Sequence, residues 1–408
     1  MSEGNVTEFK RSKLPDVGTT IFTVMSRRAR ELGALNLGQG FPDYDIDPRI
    51  GELLAQAVRE GHNQYAPMEG SVLLRQVIAG KLRATYGGQP DWESEVTVTL
   101  GATEAIYSSI QAVVGAGDEV IVFDPAYDSY DPAIRLAGGR CVHIPLLPPT
   151  FGYDWERVAA SITPRTRLII INSPHNPSCT AATAADLDAL AALIRDRDIL
   201  VLSDEVYEHV IYDGRKHHSV LMHAELAPRS FVVFSFGKTL HATGWRIGYC
   251  IAPPALTVEL RRVHQFNTFS IATPLQQAIA QYLQEKPQVW AELAAFFQAK
   301  RDLLRQGLAG STFKLPAAQG TFFQLLDFSA LPEQPPAGSR AALAPLADVR
   351  FAERLLVEAG VASIPLSPFY QVAPPMPLVR LCVAKRDATL SQAVTRLLGF
   401  ADNAQRRS

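Results

Sequence analysis

The residue in this sequence that is best suited to chemistry is a lysine that follows an apolar segment. Lys238 comes four residues after the stretch Phe231–Phe234 and directly after a glycine. A lysine at the end of a buried strand is partly desolvated, which lowers the ammonium pKa and frees the amine to form a Schiff base. A surface lysine is the alternative. A P-loop is excluded, because Val232 stands where that motif needs glycine.

A carboxylate follows another apolar stretch. Asp204 comes two residues after Ile199–Leu202, and the carboxyl ends of parallel strands are where open α/β sheets bind ligands. There Asp204 can pair with a ring nitrogen and keep it protonated, although a helix N-cap explains it equally well. Tyr207 can donate to a ring oxygen, and we expect the neighbouring Glu205 to be structural.

Two further segments offer hydrogen-bond donors. Asn176, in the loop after Arg167–Ile171, can donate to a phenolate oxygen, or can form a simple turn. The second segment follows Val96–Thr99 and begins a helix. The free N–H groups of that helix start can bind an anion; alternatively, Thr103 serves only as the helix cap. The candidates for an anion cup are Gly101, Ala102, Thr103, Ser235 and Arg246.

Arg380 and Tyr127 are candidates for ligand contacts. Arg380 lies within the apolar stretch Leu378–Val383, where a guanidinium needs an anion: either a substrate carboxylate or a structural Asp or Glu. Tyr127 can stack on an aromatic ligand or belong to the core.

His217 and His218 have no third ligand at a suitable spacing, so we expect them at the surface and expect no metal site.

The elements that must position these residues follow an alternating pattern. Short apolar stretches such as Glu119–Phe123 are separated by helical patterns such as Ala181–Ile194, which predicts an α/β fold with a mostly parallel sheet between helices. We place this large domain at residues 48–287. Residues 288–408, with strand candidates Gly320–Asp327 and Leu378–Ala384, predict a smaller α+β domain, and residues 1–47 are expected to pack beside it. Helices are expected over Val289–Leu308 and Asp348–Glu358, and a loop over Leu331–Pro345.

Composition limits the classes of function. The 408 residues are 47% hydrophobic with a formal net charge of −2, which does not favour nucleic acid or anionic membrane as a partner. We find no apolar run of spanning length and no signal peptide. The four cysteines are far apart without a C-x-x-C pattern, so we expect no disulfide framework and a cytoplasmic protein.

Taken together, the candidates resemble a known family. Asn176, Asp204, Tyr207, Lys238, Arg246 and Arg380 occur in the order and approximate spacing of fold-type I aminotransferases that use pyridoxal 5'-phosphate. The resemblance covers almost the whole chain and is to the class I/II branch. The stretches Asn36–Pro42, Gln64–Met68 and Ser235–Thr239 are most similar to the methionine aminotransferases, which are relatives of the kynurenine and glutamine transaminases.

The resemblance implies a role for each residue. Lys238 attaches the cofactor as a Schiff base, Asp204 pairs with the pyridinium nitrogen, and Asn176 and Tyr207 bind the ring oxygen. Tyr127 stacks on the ring, and the anion cup holds the phosphate. Arg380, with the backbone of Gly40 and the side chain of Asn176, holds the substrate α-carboxylate. Tyr65 reaches the phosphate of the neighbouring subunit, which implies a homodimer with shared sites. Phe22, Tyr65 and Phe369 are placed near the entrance.

The resulting expectation is transfer of an amino group from an L-amino acid to a 2-oxo acid by a ping-pong mechanism. Methionine or an aromatic or apolar donor is favoured, with kynurenine or glutamine as further candidates. The alternatives are a carbon–sulfur β-lyase on the same fold and a non-enzymatic aminotransferase-like sensor. Three residues depart from the family pattern: Ser173, Cys179 and Gln319 stand where Asn or Thr, glycine, and an acidic residue are more usual.

Overall fold

The fold is built around one large sheet. A computed structural model describes residues 12–88, 90–331, 346–374 and 376–406. In these residues the sheet has seven strands, in the spatial order β2-β8-β7-β6-β5-β3-β4. Its strands are β2 Val96–Thr99, β3 Glu119–Asp124, β4 Arg140–Pro145, β5 Thr166–Asn172, β6 Leu200–Asp204, β7 Ser230–Ser235 and β8 Gly248–Ile251.

Most neighbouring strands run in parallel, as the sequence predicts. The exception is β8, which is antiparallel to both β7 and β2. Alternate residues of one strand belong to different cores: Val120 and Val122 pack on one face, and Ile121 and Phe123 on the other. A strand that is buried on both faces must be apolar throughout, which explains the unbroken apolar stretches.

Helices cover the large sheet and form the remaining layers. In the described residues they are α1 Ile21–Glu31, α2 Pro48–Arg59, α3 Val72–Tyr86, α4 Gly101–Val113, α5 Tyr130–Leu136, α6 Trp155–Ser161, α7 Ala184–Ile194, α8 Phe236–Thr239, α9 Pro254–Asn267, α10 Thr273–Glu285, α11 Leu293–Gly307, α12 Ala347–Arg354 and α13 Asp387–Arg406. Helices α4 and α9 pack against each other beside the β7–β8 side of the sheet. Within the described ranges, we find no helix of the length and apolarity that crossing a bilayer requires.

Two small sheets accompany the large one, and the first of them joins the two ends of the chain. Strand β1 Leu35–Asn36 pairs in parallel with β10 Val361–Ala362. Strands β9 Phe323–Asp327 and β11 Ile364–Pro365 flank β12 Leu378–Cys382, both antiparallel to it. The α/β class with a smaller α+β part is therefore confirmed, and the limits 1–47, 48–287 and 288–408 stay a prediction.

Several element bounds differ from those expected. Helix α7 begins at Ala184 and not at 181, because Thr183 and Asp186 form a capping box there. The predicted helix over 348–358 changes at Leu355 into a π-helical turn that ends at the left-handed Gly360. Strands β4 and β8 were not predicted, because Arg140 and His143 interrupt the apolar pattern of β4 and a glycine begins β8. Of the predicted loop over 331–345, residues 332–345 lie outside the described residues.

Candidate active site

Three adjacent strands present polar side chains where they end. Asn172, Asp204 and Ser235 are the last residues of β5, β6 and β7, and Asn172 lies opposite Asp204 in the register. They line a cavity of about 300 Å³. Its other lining residues are Ala102, Thr103, Ile106, Tyr127, Asn176, Val206, Tyr207, Lys238 and Arg246. The structure thus brings together nine of the residues selected from the sequence.

Lys238 projects into this cavity from α8, the single turn that follows β7. Its Nζ lies 3.4 Å from the carbonyl oxygen of Gly40 and 5.6 Å from the centre of the Tyr207 ring. Removal from water lowers the pKa of Lys238 to about 8, with Arg246 and Arg380 acting in the same direction. A lysine in this state supplies free amine near neutral pH, as the desolvation argument predicts.

Asp204 is buried at the floor of the cavity. Burial raises the pKa of its carboxyl group to about 6, and a hydrogen bond from Tyr130 opposes that rise. The Tyr130 hydroxyl donates to Oδ2 at 2.7 Å, and the Asn172 amide donates to the backbone oxygen of Asp204 at 2.8 Å. Oδ1 accepts only a long bond, 3.4 Å from the Val206 N–H, which leaves it suited to a cationic N–H in the cavity.

The opposite wall forms the anion cup. Helix α4 begins at Gly101, whose φ is +71° and where an added Cβ would lie 2.6 Å from the Arg246 guanidinium. Only glycine tolerates both constraints. Arg246 is 3.4 Å from the Thr103 hydroxyl, which is 3.5 Å from the Tyr127 hydroxyl. A cation beside the free N–H groups of a helix start is a combination that binds phosphate.

Arg380 lies on β12, and its side chain is fully enclosed. Nη1 donates to Asn176 Oδ1 at 2.6 Å and Nη2 to the Gly38 carbonyl at 2.9 Å, while Nε is buried without a partner. The guanidinium lies 3.8 Å from the centre of the Phe323 ring. Its described bonds go to neutral acceptors, so this geometry favours a ligand carboxylate over the structural acid that the sequence left open.

Phe22, Phe369 and Gly40 lie around Arg380. The Phe22 and Phe369 rings are 5.4 Å apart, and the guanidinium is 5.1 Å from the Phe22 ring. At Gly40 an added Cβ would be 2.7 Å from Phe323, so this backbone can approach the site only as glycine. The predicted substrate residues therefore lie together.

Tyr65 does not line the cavity. It is 83% exposed, and its ring packs edge-on against Phe269, which is also exposed. This placement is what a residue serving a neighbouring subunit requires.

One expectation is wrong. The side chain of His217 is only 5% exposed, and its Nε2 lies 2.8 Å from Glu205 Oε2, so this histidine is not at the surface. Glu205 also accepts from the Ser203 hydroxyl and from the Val220 N–H. The hydrogen bonds agree with a structural role for Glu205 and explain why His217 is buried.

The three departures from the family pattern meet in the loop that carries Asn176. Cys179 is buried with a left-handed φ of +66°, the conformation that glycine adopts most readily. Its carbonyl accepts from the N–H of Gln319, whose side chain accepts from Ala181. The Ser173 hydroxyl accepts from Ala182. The loop is thus held by a hydrogen bond within it and by two hydrogen bonds to Gln319.

The sequence analysis assigned no role in the site to four residues that line the cavity or contact Asp204. They are Asn172, Tyr130, Ile106 and Val206. Asn172 is the last residue of a predicted strand and precedes the selected loop, so its position alone was a usable signal. Tyr130 reaches Asp204 from α5, and no spacing in the sequence joins residues 74 positions apart. Ile106 lies one turn after the anion cup, and Val206 directly follows Asp204-Glu205.

Comparison with known proteins agrees with this site. The pattern of the family "Aminotransferase class I and II" matches residues 33–397. The methionine aminotransferase of Escherichia coli (strain K12) is 48% identical over 387 residues, which are 95% of this chain and 97% of that protein. A crystal structure of an Escherichia coli protein with a methionine aminotransferase function, also 48% identical, matches with a TM-score of 0.90 over 95% of this chain and 99% of that one.

Two further relatives are aminotransferases with other substrates in their names. A probable N-succinyldiaminopimelate aminotransferase of Mycobacterium tuberculosis is 36% identical, with 96% of this chain and 98% of that protein covered. The kynurenine–oxoglutarate transaminase 1 of Mus musculus is 31% identical, with 98% and 99% covered. An enclosed amine, a buried carboxylate, an anion cup and this similarity over nearly the whole length lead to one conclusion: the chain belongs to the class I and II aminotransferases and is an aminotransferase.

Proposed function

We propose that this aminotransferase uses pyridoxal 5'-phosphate and takes methionine and other apolar or aromatic L-amino acids as amino donors. The observation that carries the cofactor proposal is the single cavity that joins Lys238, Asp204 and the anion cup. Lys238 would attach the aldehyde through its amine, and Asp204 Oδ1 would accept from the ring N–H. Asn176 and Tyr207 would bind the ring oxygen, and Tyr127 would stack on the ring. Gly101, Ala102, Thr103, Ser235 and Arg246 would hold the phosphate.

The cofactor, when bound, supplies an electron sink for the negative charge that forms at the substrate α-carbon. The chain's residues do the rest. Arg380 would hold the substrate carboxylate and so restrict how the amino acid is oriented in the cavity. Once the amine of the amino acid has displaced it from the cofactor, Lys238 would take up the α-proton on Nζ and deliver it again, for which a pKa near 8 is suitable. Asp204 keeps the adjacent ring nitrogen protonated by staying ionised.

The donor preference rests on what lies beside Arg380. The Phe22 and Phe369 rings supply an apolar, aromatic surface next to the carboxylate site. Such a surface favours a thioether or aromatic side chain over a charged one. The Escherichia coli relative is a methionine aminotransferase and the mouse relative a kynurenine–oxoglutarate transaminase, which supports the same class of donor. Kynurenine and glutamine are further candidate donors.

We further propose a homodimer with shared active sites, in which Tyr65 binds the cofactor phosphate of the other subunit. The exposed Tyr65–Phe269 pair supports this arrangement, since large exposed aromatic groups mark interaction surfaces. A 2-oxo acid is the expected acceptor. The four free cysteines support a cytoplasmic location.

The cofactor proposal is tested by reduction with borohydride followed by peptide digestion. The parent chain should yield a reduced cofactor–lysine adduct at Lys238, and Lys238→Ala should yield none and lose essentially all turnover. Lys286→Ala, which removes an exposed lysine paired with Asp47, is the matched control and should behave like the parent. Full turnover by Lys238→Ala, or an adduct at another lysine, contradicts the proposal.

The donor proposal is tested by a panel of amino acids with several 2-oxo acids. Methionine and phenylalanine should have kcat/KM values at least tenfold above aspartate, and turnover should require the 2-oxo acid. The panel includes cystathionine, which unlike methionine has a sulfur on its β-carbon; release of ammonia and pyruvate from it without an acceptor would instead indicate the β-lyase alternative. Arg380→Lys should raise KM for methionine about tenfold or more, because it keeps the charge and loses the bidentate geometry.

A further inference from the structure

A second group of chemically reactive side chains lies at the edge of the large sheet, outside the lysine cavity. Cys141 and His143 are alternate residues of β4, so both point to the same face of the strand. Asp131, in the first turn of α5, faces them. One ligand atom from each of the three side chains lies within 4.8 Å of the others. These are the three kinds of donor, thiolate, imidazole and carboxylate, that zinc sites use.

The donors are oriented by partners behind them. His143 Nδ1 lies 2.8 Å from Asp124 Oδ1, which leaves Nε2 directed at Asp131 Oδ1, 3.8 Å away. Asp131 Oδ2 accepts from Arg135 at 3.2 Å, so Oδ1 is the oxygen that faces the cluster. Metal-binding histidines typically hydrogen-bond a carboxylate through their other ring nitrogen, as His143 does with Asp124. Metal-binding carboxylates typically accept a further hydrogen bond, as Asp131 does from Arg135.

The group is accessible and has room for an ion. All three residues are partly exposed, and they line a cavity of about 780 Å³. Donor atoms around tetrahedral zinc are about 3.4–3.6 Å apart, given bonds of about 2.0–2.3 Å. The present separations therefore need to close by roughly 1 Å, which side-chain rotation can supply. Three protein donors leave a fourth position that water from the cavity can occupy.

An ion pair without metal is the competing account of this cluster. Burial alone would lower the pKa of His143, but hydrogen bonds to Asp124 and Asp131 outweigh it and raise the pKa to about 9. Burial raises the pKa of the Cys141 thiol well above its usual value. The ion-free group is therefore an imidazolium and a thiol around two carboxylates, and a metal ion has to displace both protons.

We propose that Asp131, Cys141 and His143, none of which lines the lysine cavity, form a binding site for Zn²⁺ or a similar thiophilic divalent cation. The soft thiolate and the imidazole select against Mg²⁺ and Ca²⁺, which prefer oxygen ligands. The sequence did not indicate the site, because one ligand comes from a helix and two from a strand that was not predicted. The proposal does not depend on the cofactor.

The test is calorimetric titration of the purified protein with ZnCl2, with MgCl2 as the comparison. We expect one Zn²⁺ per chain, no competition by Mg²⁺, and proton release that is visible as a dependence of the enthalpy on the buffer. Titration with CoCl2 should produce the near-ultraviolet charge-transfer absorption of a cobalt–thiolate bond. Cys141→Ser should abolish that absorption, and Cys141→Ser and His143→Gln should each weaken Zn²⁺ binding at least tenfold.

Controls separate this site from incidental binding. His223→Gln, which alters a histidine paired with Asp188 on another surface, should bind Zn²⁺ like the parent. Asp131→Asn keeps the shape of the side chain, so its weaker binding would not be due to misfolding; thermal unfolding of each variant checks this. Zn²⁺ affinity within tenfold of the parent in both Cys141→Ser and His143→Gln, or cobalt spectra without the thiolate absorption, overturns the proposal.

Discussion

The amine of Lys238 becomes a nucleophile only when it loses its proton. Its pKa is lowered by burial to about 8 from an ordinary 10.5, so about a tenth of the chains carry free amine at pH 7. In the cofactor-free protein, the rate at which pyridoxal phosphate attaches should therefore rise about tenfold per pH unit below pH 8 and level off above it. Absorbance measured after mixing records this rate, and a rise that continues past pH 9 would contradict the lowered pKa.

Tyr130 is expected to position Asp204 and keep it ionised. Tyr130→Phe removes the donor to Oδ2, and a hydrogen bond to a charged group contributes about 1.5–3 kcal/mol, or about one to two pKa units. The pKa of Asp204 should rise, so the carboxylate forms only at higher pH. We expect kcat at neutral pH to fall about 2- to 10-fold, the loss of ionised Asp204 when a pKa of about 6 rises by one to two units, with KM for methionine little changed.

The pH profile distinguishes positioning from a merely structural role. The acidic limb of kcat should move to higher pH in Tyr130→Phe, because the group that must be ionised has a raised pKa. Tyr282→Phe removes a similar hydrogen bond to Asp47, remote from the lysine cavity, and should leave the profile unchanged. An acidic limb in the same place in both variants and the parent would refute the role assigned to Tyr130.

At the scale of elements, the loop from Asn172 to Ala182 depends on the backbone at Cys179. A side chain at positive φ costs about 1–2 kcal/mol, more if it is β-branched. Cys179→Val should therefore lower the free energy of unfolding by about 2 kcal/mol or more. Cys179→Gly relieves the backbone but loses a buried side chain, and should stay within about 1 kcal/mol of the parent. Urea unfolding measures both; equal stability of the valine variant would show that the loop relaxes.

The sequence predicted those elements whose pattern is dictated by burial on both faces. Strands β3, β5, β6 and β7 each contain an unbroken apolar stretch, and polar residues at or just beyond their carboxyl ends identified Asp204, Asn176 and Lys238. Strand β4 was missed because it lies at the edge of the sheet, where Arg140 can be exposed. The contact from Tyr130 to Asp204 depends on how α5 packs, which local spacing does not encode.

For the whole molecule, the exposed Tyr65 predicts that a single chain is an incomplete enzyme. Light scattering should give a mass about twice the 44.6 kDa of one chain. A hybrid of one Lys238→Ala subunit and one Tyr65→Ala subunit, separated by two affinity tags, should hold one cofactor per dimer with the parent affinity. The reason is that one of its sites combines an intact Lys238 with an intact tyrosine from across the interface.

The homodimers of each variant are the controls for this experiment. The Lys238→Ala homodimer should form no covalent link to the cofactor. The Tyr65→Ala homodimer should bind the cofactor about tenfold more weakly, because it loses one hydrogen bond to a charged group. If the hybrid shows only the weakened affinity, Tyr65 serves its own subunit, and shared sites are refuted.

The reversed direction of β8 has a consequence for how the anion cup is assembled. In a fully parallel sheet, the edge where the strands end, which here lines the lysine cavity and is called the catalytic rim, is reached only by residues that follow a strand. Arg246 precedes its strand, and it reaches that rim because β8 runs opposite to β7, with Gly248 beside Ser235. If β8 ran the other way, the same arginine would emerge at the far rim, about 13 Å away for four residues at 3.3 Å each. One inverted strand thus lets a single rim collect side chains from both the beginnings and the ends of strands.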